Sequence, residues 1–373
     1  MMQVLHIISG LGDGGAEAVL YRLCKFDKDN NHTVISLTGK QKYGEMLEAI
    51  GIHVYNLDII RNKGKIFRLF ELYKIIKKLK PDVVQTWMIH ADFIGGLLAR
   101  LAGIKHIFWG VHHTKLEGGR FISLIGRINA FLSYFIPKKI IYCAEKSREM
   151  QELIGFSKAK GIVIHNGYNL LDFAPDKKLR SSFRNELNIS EGSILIGHVG
   201  RYDPLKDLNS LIKSFSILKN DGIDFNAAIV GANLDKNNQE LLKLINESHL
   251  TNNINLLGMR QDIPTVMNGI DLFILSSTTE AFPNVLNEAM ACGIPCISTD
   301  VGDCSYIIGK TGWVVPIKDY HAIAKAIINA IDEKSFNESE WLARKQDCRQ
   351  RVLKKFNIEK MVNSYIKLWM NYS

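Results

Sequence analysis

Long uninterrupted apolar runs are missing from this sequence. Although 46% of its residues are apolar, nowhere do the roughly 18 uncharged apolar residues needed for a membrane-spanning helix occur together. Met1 to Ser9 carries no basic segment and leads into a glycine-rich loop instead of a cleavage site, which predicts no signal peptide. Cysteine is sparse. The six thiols (24, 143, 292, 296, 304 and 348) are scattered through segments that read as strands and helices, the pattern of reduced, mostly buried thiols in a cytosolic protein. Cys292 and Cys296 are neighbours, but one ends a predicted helix and the other starts a strand. With no Cys or His partner pair at metal spacing, they read as structural. No nucleic-acid motif is present, so no nucleic-acid partner is expected.

A dinucleotide site is excluded by one missing residue. The strand predicted over Val4 to Ser9 runs into GLGDGGAE and a helix from about Ala16 to Lys25. Gly10, Gly12 and Gly15 satisfy G-x-G-x-x-G, but that fingerprint also needs an acid at the end of the second strand for a ribose. The second strand, His32 to Leu37, ends in Thr38-Gly39-Lys40. A nicotinamide or flavin site is rejected, leaving a loop where a ligand can approach backbone and a helix N-terminus. Asp27-Lys28-Asp29 has an Asp-x-Asp pattern, but it lies in the polar turn DKDNNH and reads as solvated. No catalytic metal is predicted.

The 373 residues are enough for two domains, each with its own core. Net charge is +9, and it is unevenly placed: residues 1–175 hold 24 Lys/Arg against 15 Asp/Glu, while the remainder holds 23 of each. The excess is densest in Arg61 to Lys80, where apolar residues recur at helical spacing between basic ones. An anionic membrane surface or an anionic substrate is the expected partner, against the plainer reading of a solvated basic face. Phe121 to Phe135 is strongly apolar with Arg127 and Asn129 inside it, and reads as a core-packed helix.

Predicted strands (Ile52 to Leu57, Asp82 to Trp87, His106 to Val111, Lys139 to Ala144, then Ile194 to Val199, Asn226 to Val230 and Ile254 to Leu257) alternate with helical segments. That alternation predicts doubly wound parallel sheets. The stretch of densest chemistry is EAFPNVLNEAMACGIPCISTDVGD, Glu280 to Asp303, after the apolar strand Asp271 to Ser277. Glu280 stands past a strand's carboxyl end, and Glu288 lies about a turn into a helix starting near Asn284. Two carboxylates around the free N–H groups of a helix start suit a ligand with both hydroxyls and phosphate, such as a nucleotide-sugar. GRYDPLKD places Arg201 and Lys206 after the strand ending at Val199, with Asp207 as N-cap of a helix Leu208 to Lys219. Two cations there read as a diphosphate clamp, against the plainer reading of surface charge that a lone Arg/Lys pair would carry. His112-His113-Thr114 follows another strand end, where a histidine can act as acid or base, hydrogen-bond donor or cap.

EAFPNVLNE closely resembles the E-x-F-x-x-x-x-x-E signature of the retaining glycosyltransferases of family 4, and the likeness continues through AMACGIPCISTDVGD to TGWVVP. Further blocks follow in order along nearly the whole chain, with Ala281 where many members have Gly and His165-Asn166-Gly167 where many have Pro-Asn-Gly. The resemblance implies the GT-B fold: two Rossmann-like domains facing a cleft, with the last helix returning to the first. Residues 1–170 would bind the acceptor and 171–355 the nucleotide-sugar, and 356–373 would pack back on the first domain. Catalysis would fall to Glu280, His113, Arg201 and Lys206. Donor contacts would come from Gly200, Arg201, Lys206, Met259 and Arg260 (the last two by backbone to the base), and from Ala281, Phe282, Pro283, Asn284, Val285 and Glu288. Gly14, Gly15, Ala16 and Glu17 would face the cleft. No cofactor or metal is implied beyond the substrate, expected to be a UDP-sugar. The wording of the EAFPNV and STDVGD blocks looks most like bacterial enzymes building O-antigen, capsule or exopolysaccharide on a polyprenyl-diphosphate carrier. The expected place is cytoplasmic, peripheral at the inner face of the membrane. Standing against this are a nucleotide-sugar epimerase or phosphorylase and a non-enzymatic nucleotide-sugar-binding module.

Overall fold

The computed structural model describes residues 1–59, 65–114 and 119–372, except the side chains of residues 65 and 66. Of the basic run from Arg61, residues 61–64 lie outside the described residues. The chain divides into two compact units, Met1–Gly167 with Ile358–Ser373, and Tyr168–Asn357.

In the first unit the strands are β1 (Gln3–Ile8), β2 (Asn31–Ser36), β3 (His53–Asn56), β4 (Val83–Trp87), β5 (Ile107–Val111), β6 (Lys139–Tyr142) and β7 (Gly161–Val163). They form a parallel sheet in the order β3-β2-β1-β4-β5-β6-β7. β1 pairs with β2 from Gln3 opposite Asn31, and with β4 from Val4 opposite Val83. Such strands read as nearly continuous apolar runs because both faces are covered. One face packs on Val19, Leu20 and Leu23 of the helix Gly15–Phe26 and on Val362, Tyr365 and Trp369 of the last helix, Ile358–Met370. The other packs on Leu72 and Ile76 of the helix Lys65–Leu79 and on Ala130 of the helix Gly119–Leu132.

The second unit contains β8 (Leu195–Val199), β9 (Asn226–Val230), β10 (Ile254–Gly258), β11 (Leu272–Leu275), β12 (Cys296–Thr299) and β13 (Trp313–Val315), in the order β10-β9-β8-β11-β12-β13. Its core is built from Leu211, Ile212 and Phe215 of the helix Leu208–Asn220, with Ile323 and Ile327 of the helix Tyr320–Phe336. Winding reverses beside β1 in one sheet and beside β8 in the other. The loops leaving these two strands therefore sit at the switch points, where open α/β sheets hold ligands. All six cysteines are buried and free of disulfides. No described helix is long and apolar enough to cross a membrane.

Two expectations are corrected. Asp27 is not solvated; it is 3% exposed and its carboxylate receives His32 Nε2 at 3.2 Å. Trp87 Nε1 can only donate and Asp27 can only accept, which fixes the whole chain of bonds. Trp87 Nε1–H donates to His6 Nδ1 (3.1 Å) and His6 Nε2–H to His32 Nδ1 (2.9 Å), which leaves the His32 Nε2–H beside the Asp27 carboxylate at 3.2 Å. His6, His32 and Cys24 come close enough together to be considered as metal ligands, but this chain already uses His6 Nε2 and His32 Nδ1. The cluster is a structural tie between β1, β2 and β4. The second correction concerns the helix Gly119–Leu132, which is core-packed on one face only. Ile125, Asn129 and Ala130 turn inward while Phe121, Leu124 and Phe131 are exposed.

Candidate active site

The site in the second unit begins where β8 ends. Gly200 passes so close to the next strand's exit that a Cβ on Gly231 (φ +142°) would lie 1.4 Å from the Gly200 carbonyl. Only glycine permits that approach. The chain then makes a short turn, Pro204–Lys206, capped by Asp203, whose carboxylate accepts from Leu205 N at 2.9 Å and Arg201 Nε at 2.8 Å. The Leu205 N–H first, and the Arg201 guanidinium with it, hold the Asp203 carboxyl below its usual range. Asp207 sits in the left-handed region (φ 46°) and caps the next helix, accepting from Ser210 N at 3.3 Å and Ser210 Oγ at 2.7 Å.

This turn is fastened to the end of β11. Ser276 Oγ donates to the Lys206 carbonyl (2.7 Å), and Thr278 N donates to the Leu205 carbonyl (2.7 Å). The result is that Lys206 Nζ lies 2.5 Å from Glu280 Oε1, with both side chains mostly covered, and Ser277 Oγ donates to the same oxygen at 2.8 Å. Segment 299–303 braces the arrangement from below. Thr299 Oγ1 bonds the Ser277 carbonyl (2.5 Å), and Asp303 N bonds the Ala281 carbonyl (3.0 Å). At Gly302 (φ +51°) a Cβ would lie 2.4 Å from the Ala281 carbonyl and 2.6 Å from that of Glu280. The ISTDVGD segment thus works as the floor under Glu280.

Arg201 is not drawn into a clamp with Lys206; its side chain is 64% exposed and lies on Asp203. The Arg260 guanidinium bonds Glu186 and Asp262, and the Asp262 bonds first, then those of Glu186, raise its pKa. The Met259 side chain is exposed. Phe282 is buried with its ring 5.5 Å from that of Phe356, and Pro283 is the N-cap of the helix Asn284–Ala291. Asn284 Oδ1 accepts from Tyr168 OH at 2.7 Å. Ala281 and Val285 are half-buried, as is Glu288 in the second turn of that helix.

Two residues beside this site carry no motif that sequence reasoning would single out. Ser277 reads as an ordinary strand-end serine. His198, inside β8, is buried and its Nδ1–H donates to the Ile274 carbonyl at 3.0 Å, which leaves Nε2 as a lone pair beside Gly200. Burial, with the nearby Lys206 cation, holds its pKa down to about 4. Only the odd placement of a histidine within an apolar strand hints at it.

In the first unit, Gly14 precedes the helix Gly15–Phe26 as its N-cap, and Gly15, Ala16 and Glu17 form its first turn. Burial raises the Glu17 carboxyl. His112 and His113 follow β5. Both are largely covered by protein atoms, which keeps them neutral: burial lowers His112 to about 3, helped by His113, and His113 to about 4. The His112 ring stacks on Trp87 at 5.2 Å, and the His113 carbonyl accepts from Ser147 Oγ at 2.5 Å.

Two family models match the chain: "Glycosyl transferases group 1" over residues 180–346 and "Glycosyltransferase Family 4" over residues 13–170. A galactosyltransferase of Escherichia coli, named for transfer from UDP-Gal to alpha-D-GlcNAc-diphosphoundecaprenol, is 26% identical over 85% of this chain and 81% of its own length. An N-acetylgalactosaminyltransferase of Campylobacter jejuni, acting on a diphospho-undecaprenol-linked sugar, is also 26% identical, over 80% and 81%. Among solved structures, Anabaena HepE in complex with UDP superposes with a TM-score of 0.88 at 20% identity, over 99% of this chain and 100% of that one.

Proposed function

For a chain that belongs to glycosyltransferase family 4 and has the GT-B fold, we propose a retaining, metal-independent transfer of a sugar from a UDP-sugar to a glycan or polyprenyl-diphosphate-linked oligosaccharide of a bacterial surface polysaccharide. The observation that carries this reading is the Lys206–Glu280 pair at the ends of β8 and β11. Breaking the bond between sugar and diphosphate builds negative charge on the departing phosphate and positive character on the ring. Once the donor has bound, an ammonium and a carboxylate already in place meet those two charges. In the free protein each is the other's counter-ion. An arriving diphosphate takes over Lys206 and frees Glu280 to orient sugar hydroxyls.

Arg201 would swing from Asp203 to the same phosphates, and the first-turn N–H groups of the helix Asn284–Ala291 would add donors. Glu288 would accept from the ribose, while the backbone at Gly200, Met259 and Arg260 would surround the base and phosphates. His113, held neutral, would serve as a hydrogen-bonding group to the donor sugar, and the Gly14–Glu17 turn would belong to the acceptor's half. The acceptor oxygen bonds the anomeric carbon on the face the phosphate leaves, and a departing phosphate oxygen takes its proton. Products are the nucleoside diphosphate and a glycoside of unchanged anomeric configuration. The names of the Escherichia coli and Campylobacter relatives support a lipid-linked acceptor. Such an acceptor lies at an anionic membrane face, to which exposed Lys74, Lys77 and Lys78 would be drawn.

Thermal denaturation against a panel of nucleotide-sugars tests the donor half. A ligand at 100 times its Kd stabilises by about 2.7 kcal/mol. A UDP-sugar is expected to raise the midpoint equally with and without EDTA, and Lys206→Ala is expected to abolish most of the rise. No response to any nucleotide-sugar, or a response requiring added Mn²⁺, would overturn the reading.

A further inference from the structure

Among the described residues, the outward face of the helix Gly119–Leu132 is an apolar stripe that nothing covers. Phe121, Leu124, Phe131 and, just beyond the helix, Phe135 fall at heptad spacing, with half-buried Ile128 between them. Phe121 is 68% exposed, and Phe131 and Phe135 are each 65% exposed, with their rings 5.3 Å apart. The core needs none of these rings, since Ile125, Asn129 and Ala130 already close that side of the sheet. Soluble monomers rarely expose large apolar side chains in a contiguous row unless something binds there.

The charge around the stripe selects the occupant. From Gly119 to Ala144 there is no Asp or Glu, while Arg120, Arg127, Lys138 and Lys139 are present and the first three are exposed. A second copy of the chain, meeting through a two-fold contact, would bring these cations against each other with no carboxylate in the segment to neutralise them. An anionic lipid surface neutralises them and also accepts the rings. On the same face of the sheet, the helix Gly119–Leu132 packs on the π-helical turn Ala91–Gly95 that leads into the helix Gly96–Leu101, and the helix Lys65–Leu79 packs on the latter. This neighbouring helix carries exposed Phe67 and Phe70, with Lys74 Nζ 4.5 Å from the Phe70 ring centroid. Aromatic rings beside exposed cations are the composition of a helix that lies in the membrane interface.

We infer that this face is a membrane-docking surface in which the Phe121–Phe135 stripe inserts among lipid chains while the basic residues hold the headgroups. The inference rests on the membrane-borne acceptor proposed above and changes what is expected of binding. Charge alone would be lost in high salt; an inserted apolar stripe is not.

The test is flotation with vesicles of phosphatidylcholine, with or without phosphatidylglycerol, at low and high salt. Wild type is compared with Phe121→Ser/Leu124→Ser/Phe131→Ser, with the single Phe131→Ser, and with Lys74→Glu/Lys77→Glu/Lys78→Glu. Wild type is expected to remain on anionic vesicles at high salt and to sediment as a monomer without lipid. The serine variant should float at low salt but partition roughly tenfold or more weakly at high salt, with Phe131→Ser between them. The glutamate variant should lose most of its low-salt binding. Complete release of wild type by salt overturns the inference. So does serine-variant binding equal to wild type at both salts, or a wild-type dimer that the serine changes dissociate. Lipid binding is read without donor or acceptor, and the nucleotide-sugar thermal shift is measured on every variant. A failed flotation with an intact shift therefore removes only the docking face, whereas a missing shift in wild type removes the transferase reading.

Discussion

Ser277 is where a single hydroxyl should be visible in kinetics. Its hydroxyl donates to the same Glu280 oxygen that Lys206 holds. It is therefore a positioning residue, acting on the reaction through Glu280. Ser277→Ala is expected to lower kcat about three- to tenfold with KM for the donor little changed, in line with about 1 kcal/mol for one hydrogen bond. Steady-state kinetics of the variant checks this, with Ser277→Thr expected to recover part of the loss. A rise in KM alone would give Ser277 a role in donor binding instead. Glu280 and Lys206 were legible in the sequence because charged residues stood where apolar strands ended. Ser277 and His198 were not, because their roles come from contacts with residues distant in sequence.

At the scale of elements, the parallel strands were readable because burial on both faces turns each into an apolar run; the strand Asn226–Val230 is bounded as the sequence reading places it. Asp207 likewise marked its helix start. The inward and outward faces of the helix Gly119–Leu132 could not be assigned from a segment that is apolar nearly all round. The π-helical turn Ala91–Gly95 has no sequence signal; within it the buried Asp92 accepts from Thr86 Oγ1 at 2.5 Å, a contact with an earlier strand. Equally hidden is how the last helix is held. Trp369 is fully buried, lies 6.0 Å from the His6 ring and 6.3 Å from that of His32, and its Nε1–H reaches Gln85 Oε1 at 3.4 Å. Trp369→Ala is expected to cost about 3–5 kcal/mol by urea unfolding of the first unit, whereas Met370→Ala at the exposed next position should cost under about 0.5 kcal/mol. Equal effects would mean that the last helix is not docked through Trp369.

For the whole molecule, the buried titrating groups set a pH window. Burial holds His6 well below its ordinary range, His112 to about 3, and His113 and His198 to about 4. Lowered folded pKa values mean that the unfolded chain binds more protons below about pH 6.5, so stability falls as pH drops from there toward 4. Each such group contributes a slope of about 1.4 kcal/mol per pH unit at most. Burial pushes the Cys292 thiol up to about 12 and that of Cys348 to about 11. These raised values favour the folded state below about pH 8.5, and that contribution is lost as pH rises above it. Urea midpoints are expected to plateau between about pH 7 and 8.5 and fall on both sides; constant stability down to pH 4.5 would show that the histidines are not buried neutral. Above stability stands the chemistry, and one measurement addresses it most directly: transfer of radiolabel from a UDP-sugar to a bacterial polyprenyl-diphosphate lipid extract by wild type and by Glu280→Gln. The account predicts label in the lipid phase for wild type, in EDTA as well as without it, and a loss of about a hundredfold for Glu280→Gln, the worth of one preorganised group at about 3 kcal/mol, with its fold retained. Free labelled sugar, an epimerised nucleotide-sugar, or a Glu280→Gln rate within about twofold of wild type would contradict it.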